Sequence, residues 1–187
     1  YLFYTTFLIA VVGLVISLLN AKQVVQLSLI PITAITILYT LPFLKLKQLN
    51  LNLRKVPFLK IFLIMMVWAF STVMLPIIQM EHWVDWKATC LLLLERLFFI
   101  GALAILFDLR DVALDHKMGL KTIPIILGEK KSILLSNGLL LLFLIDSLIY
   151  YWYSNTLFLM PAALISFFIV LYLINYFKLK MNPHYHA

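Results

Sequence analysis

The chain has 187 residues, 64% of them hydrophobic and only 12% charged, with a mean hydropathy of +1.04. That composition excludes a soluble globular domain and predicts a membrane protein, with no polar stretch left over for a separate soluble unit. The net charge of +7 would suggest a nucleic-acid partner in a soluble chain. Here the basic residues sit in short segments between apolar runs, so topology explains them and no nucleic-acid partner is expected.

Runs long enough to cross a hydrocarbon core of about 30 Å recur along the whole length. They predict an all-α polytopic transmembrane bundle of about six spans, over residues 1–19, 24–44, 61–80, 88–107, 132–152 and 157–177. The first run begins at Tyr1, without an initiator Met, a basic flank or a small-residue cleavage site. The chain therefore reads as a single domain, 1–187, cut from a longer protein at its N-terminus and also near "KLKMNPHYHA". Pro31, Pro76 and Pro161 fall inside spans two, three and six, where each is expected to kink or interrupt its helix. Cys90, in the fourth run, is the single cysteine, so an internal disulfide is excluded and a packed small hydrophobe is expected.

The connections alternate in charge. The second, "KLKQLNLNLRKVPFLK", and the fourth each carry five Lys or Arg, and the tail carries two, whereas the opposite side holds only Lys22 and Lys87. The positive-inside rule then places the second connection, the fourth connection and the tail in the cytoplasm, in a multi-pass protein of the cell inner membrane. Trp83, Trp86 and Trp152 fall at the opposite interface, where amphipathic rings are favoured.

The fourth connection concentrates the acids, in "FDLRDVALDHKMGLKTIPIILG". On a helix, Asp108, Asp111 and Asp115, spaced three then four, project within about a quarter of the circumference. Carboxylates that close repel one another unless a proton or a cation offsets them. The spacing suits oxygen ligation of a hard divalent ion such as Mg²⁺, which typically takes one or two carboxylates and completes its octahedron with water and phosphate oxygens. A solvated loop laced with salt bridges explains the same residues without any ligand. Gly119 is expected as a helix C-terminal cap, with Thr122 and Pro124 restarting the chain.

Within the spans, Glu95, Arg96 and Asp146 are ionisable groups that are costly in a membrane and face either a cavity or a partner helix. Glu95 and Arg96 would line a substrate cavity or tie helices together, the second role being the commoner. Asn137 and Ser71 read as interhelical hydrogen-bonding groups. The four His lack spacing for a zinc site.

The segment Asp108, Asp111, Asp115, Lys117, Gly119, Lys121, Thr122, Pro124 and Gly128 resembles the second aspartate-rich motif of the UbiA superfamily of intramembrane prenyltransferases. There an Asp-x-x-Asp-x-x-x-Asp is followed by a basic residue, Gly, a basic residue, Thr, a small apolar residue, Pro and Gly. The resemblance implies that the six spans are similar to helices three to eight of a nine-helix fold. The stretch "YTLPFLKLK" is similar to that family's loop after helix four, so Tyr39, Lys45 and Lys47 are expected near the diphosphate, with Lys117 and Lys121. The family's first motif, Asn-Asp-x-x-Asp, has no match here and is expected upstream of Tyr1, which would leave this stretch inactive alone.

The implied activity is Mg²⁺-dependent transfer of a prenyl group from a polyprenyl diphosphate to an aromatic or other lipophilic acceptor in the bilayer, as in quinone and related prenyl-lipid biosynthesis. Asp111 and Asp115 would be catalytic, and Asp108, Asp111 and Asp115 would be the metal ligands. A non-catalytic transport or scaffold protein with a solvated charged loop is the alternative.

Overall fold

The computed structural model describes residues 2–40, 58–80 and 85–180, and every regular element among them is helical. Helices α1 (Leu2–Asn20) and α2 (Gln23–Thr40) are joined at Ala21 and Lys22. Gln26 closes that turn, donating from Nε2 to the carbonyls of Leu18 at 2.7 Å and Ala21 at 3.2 Å. Pro31 lies inside α2.

The third span is one rod in three pieces: α3 (Leu59–Ala69), a π-helical stretch (Phe70–Met74) and α4 (Leu75–Gln79). Pro76 accounts for the interruption. Its ring would collide with the carbonyl four residues back in a regular helix, and the backbone widens to an i→i−5 turn in which the Leu75 N–H reaches the Phe70 carbonyl. Pro161 behaves differently from its expectation. It occupies the first turn of α8 (Met160–Lys180), after a short 3₁₀ turn at Leu157–Leu159, where a missing N–H costs nothing, so it starts a helix rather than breaking one.

The fourth span departs most from the sequence reading. Helix α5 runs from Trp86 to Lys117 without a break, 32 residues in place of the 20 expected. The aspartate segment is thus the last turns of a helix and not a loop. No Gly or Pro stands between Gly101 and Gly119, and "FDLRDVALDHK" contains nothing that competes with helical hydrogen bonding strongly enough to end it. The stop comes where expected. Gly119 adopts φ +66°, its N–H bonds the His116 carbonyl at 3.1 Å, and the Leu120 N–H bonds the Asp115 carbonyl at 3.0 Å, the paired pattern of a Schellman cap. Thr122 and Pro124 then open the short α6 (Ile123–Leu127), and α7 (Glu129–Tyr153) follows.

At its other end α5 is capped by Asp85, which accepts from the Lys87 N–H at 2.9 Å and the Ala88 N–H at 3.4 Å. The nearby Tyr153 hydroxyl, with those N–H bonds, holds this carboxyl below its usual range. The start of α5 and the end of α7 therefore meet, with Trp86 and Trp152 exposed beside them as interfacial rings would be. Trp83 lies outside the described residues.

Helix α5 is central: α3 and α7 pack on it, and α7 packs in turn on α8. One core cluster joins Ala102, Leu106, Leu140, Phe143, Ala163, Val170 and Ile174, and the other joins Ile61, Ala104, Ile105, Leu109 and Ile123. Small residues let the helices approach closely. A Cβ placed on Gly101 would stand 3.1 Å from the Met65 thioether of α3 and 3.2 Å from Leu139 Cδ1 of α7. Five helical segments are long and apolar enough to span a membrane, while the described apolar part of α2, Gln23–Ile37, is shorter. Most other large apolar side chains are exposed, as lipid contact requires. Cys90 is also exposed on α5, contrary to its expected packing.

The close approach at Gly101 is testable. Gly101→Val should lower stability in detergent by about 1–3 kcal/mol through overpacking. Adding Met65→Ala should restore part of that loss. A Gly101→Val midpoint equal to wild type in thermal unfolding would show that the helices are not in contact there.

Candidate active site

An α-helix rises about 1.5 Å per residue, so α5 is about 48 Å long against a hydrocarbon thickness of about 30 Å. Its interfacial Trp86 end leaves the last three turns, with all three aspartates, at or beyond the opposite membrane edge. Asp108 and Asp115, two turns apart, present carboxylates to the same place and are buried, at 3% and 6% side-chain exposure. Into that place α3 sends Lys60. Its Nζ donates to Asp108 Oδ1 at 2.6 Å and lies 3.8 Å from Asp115 Oδ2, the latter an ion pair too long for a hydrogen bond.

One ammonium against two buried carboxylates leaves a negative excess. Asp108 Oδ2 and Asp115 Oδ2 are both buried with no hydrogen-bond partner, a costly state in a protein interior. Asp111 belongs to the same face but at its solvent margin, 35% exposed, and Arg110 holds it in a two-pronged contact at 2.8 and 2.9 Å. That guanidinium also lies 5.2 Å from the centre of the Phe107 ring. Asp111 is still within electrostatic reach of Lys60 and Asp108. Among the described residues, no three His, Cys, Asp or Glu side chains converge as a ready metal cage.

The donor set nevertheless suits a hard cation. It is all carboxylate oxygen, two of those oxygens are buried without a hydrogen bond, and a third carboxylate is tied by an exposed ion pair that solvent screens. Lys117 and Lys121 are exposed on either side of the Gly119 turn, just past the acids. Tyr39 falls in the last turn of α2, with its side chain outside what the structure describes; Lys45 and Lys47 lie outside the described residues altogether.

Glu95 is placed elsewhere. It is 2% exposed on α5, and its Oε1 accepts from Ser147 Oγ of α7 at 3.1 Å, with buried Asp146 beside it. The contact ties the two helices, as does Ser136, whose Oγ donates to the Ala102 carbonyl at 2.9 Å. Arg96 is partly exposed next to Glu95. Glu95 stands 13 residues before Asp108, about 20 Å along the axis, so it shares no site with the acids.

Sequence reasoning missed Lys60, Ser136 and Ser147. Lys60 was visible only as one basic residue among five in its connection, and its position at the mouth of an apolar run was the available signal. Ser136 lies four residues after Ser132 and Ser147 fifteen, both on the face of α7 that also buries Leu140 and Phe143.

Removing the Ser147 hydroxyl should cost about 0.6–1.7 kcal/mol, the range for interhelical hydrogen bonds in membranes. Ser147→Ala should accordingly unfold earlier than wild type in detergent, and Glu95→Gln, which keeps an acceptor, should lose less. Unfolding midpoints that match wild type for Ser147→Ala would remove the tie between α5 and α7 from the account.

No curated protein and no solved structure matches this chain. A family model, that of the UbiA prenyltransferase family, matches residues 1–184, and with nearly the whole chain covered the protein belongs to that family and is an integral membrane protein of helical-bundle type.

Proposed function

We propose that the protein takes part in Mg²⁺-dependent transfer of a prenyl group from a polyprenyl diphosphate to an aromatic or other lipophilic acceptor within the membrane. Family membership supports prenyl transfer in general. The observation that carries the finer reading is the pair of buried carboxylates, Asp108 and Asp115, with unsatisfied oxygens at the membrane-edge end of α5.

Transfer breaks the bond between the donor's allylic carbon and its diphosphate oxygen, forms a carbon–carbon bond to the acceptor, and releases a proton from the acceptor. The difficulty is the charge that gathers on the leaving diphosphate. Asp108, Asp111 and Asp115 would hold Mg²⁺, which when bound supplies the positive charge that makes diphosphate a better leaving group. Lys117 and Lys121 carry further positive charge to the same end of α5, where they would neutralise departing oxygens. Arg110 holds the Asp111 carboxylate oriented at the solvent margin. The apolar bundle below would take the prenyl chain and keep water from the electron-deficient allylic carbon. Tyr39, Lys45 and Lys47 join this reading through the family motif alone.

The satisfied Lys60–Asp108 contact favours one competing reading, in which the acids are a strut and not a binding site. Turnover separates the two. With the natural full-length protein in detergent or nanodiscs, diphosphate release from a prenyl diphosphate with acceptor should require Mg²⁺. It should fall by about 100-fold or more in Asp111→Ala and in Asp115→Ala, the scale for losing one electrostatic stabiliser. Wild-type turnover in both variants sinks the site assignment.

We also place the acid-bearing end of α5 on the cytoplasmic face, from the excess of Lys and Arg on that side. In a Cys90→Ser background, a cysteine introduced by Lys121→Cys should react with a membrane-impermeant maleimide only after intact cells are permeabilised. Labelling from outside would reverse the orientation.

A further inference from the structure

We propose that Lys60 is a built-in counter-ion of Asp108 and Asp115, occupying the place a divalent cation would take and giving way to it when it binds. The inference rests on the transferase reading and concerns how its metal site is kept when empty.

The reason begins with burial. Two carboxylates at 3% and 6% exposure repel each other, and removing them from water without a partner is expensive. Lys60 Nζ stands between them, 2.6 Å from Asp108 Oδ1 and 3.8 Å from Asp115 Oδ2. It therefore stabilises the pair with no metal present, but incompletely, since each acid keeps one buried oxygen with no hydrogen bond. A doubly charged ion would neutralise both.

The lysine is also the member of the trio able to move. Its side chain is 33% exposed, and its stem is flexible, whereas both acids are fixed on the buried face of α5. On its other flank Lys60 lines a cavity of about 130 Å³ between α2 and α3, with Thr36, Ile64 and Trp68, so the stem has room to withdraw. Its backbone, in contrast, is set. Ile61, the next residue, is buried in one core cluster with Ala104, Ile105 and Leu109 of α5, which fixes the first turn of α3. The main chain is aimed, and only the ammonium is released. Lys60 is thus a positioning residue, acting on the ligand carboxylates and not on the reacting carbon.

Competition between ammonium and metal has a signature that a structural salt bridge lacks. With the full-length protein in detergent and no diphosphate present, Mn²⁺ binding followed by electron paramagnetic resonance should be about tenfold tighter in Lys60→Gln than in wild type, a difference of about 1.4 kcal/mol. Lys60→Arg, which keeps the charge, should bind like wild type or more weakly. Without metal, Lys60→Gln should unfold at a lower temperature than wild type, and Mn²⁺ should raise its midpoint further than it raises that of wild type. Should Lys60→Gln fail to fold, the comparison moves to Asp108→Asn with and without Lys60→Gln, where the double variant should bind Mn²⁺ more tightly than the single one.

Equal or weaker Mn²⁺ binding on loss of the lysine overturns the proposal, as does absence of Mn²⁺ binding to every variant. The transferase reading is judged separately, by turnover of the wild-type protein. A gain in Lys60→Gln affinity in a protein that turns over no prenyl diphosphate would keep the counter-ion and sink the transferase.

Discussion

A helix longer than the membrane is thick must carry part of itself into water, and α5 obliges the rest of the molecule to follow. Its apolar stretch takes α3 on one side and α7 on another, through the small residues Gly101, Ala102 and Ala104. Its charged turns then emerge as a continuation of the same rigid rod. An acid placed on a loop would sample many positions. An acid on α5 inherits the precision of the core, because the helix that positions Asp108 is the one that packs Ile105 and Leu109.

The same helix carries two buried acidic points, and they are solved differently. Near the Trp86 end, Glu95 finds a serine hydroxyl on α7 and has Asp146 for a neighbour. At the far end, Asp108 and Asp115 find an ammonium on α3. A hydroxyl contributes a dipole and fixes a distance between helices, which suits a tie within hydrocarbon. An ammonium contributes a full charge at the membrane edge, where water can receive it if it leaves.

Much of this was legible in the amino-acid sequence. Apolar runs gave the helices, the three-then-four spacing gave a shared acidic face, and Gly119 gave the stop, because each rests on local chemistry: hydrocarbon thickness, helical pitch and the one residue at ease with positive φ. The extent of α5 was misread because an apolar run marks where a membrane ends and not where a helix ends. Its charged turns satisfy the backbone as well as its greasy ones. Lys60 was legible only as a basic residue at the mouth of an apolar run, not as a member of the site. It lies 48 residues before Asp108, and only the packing of α3 on α5 brings them together. Of Lys45 and Lys47 the described residues say nothing, so their part rests on the motif.

Exposure along the acidic face is graded, and the grading has a mechanical meaning. Asp108 is the most enclosed and the most tightly held by Lys60, Asp115 is enclosed but held at longer range, and Asp111 is a third exposed with only a surface ion pair to Arg110. On the transferase reading, a cation coming from the aqueous side would meet the exposed Asp111 first and the enclosed Asp108 last, so the contact between Lys60 and Asp108 would be the last to be exchanged.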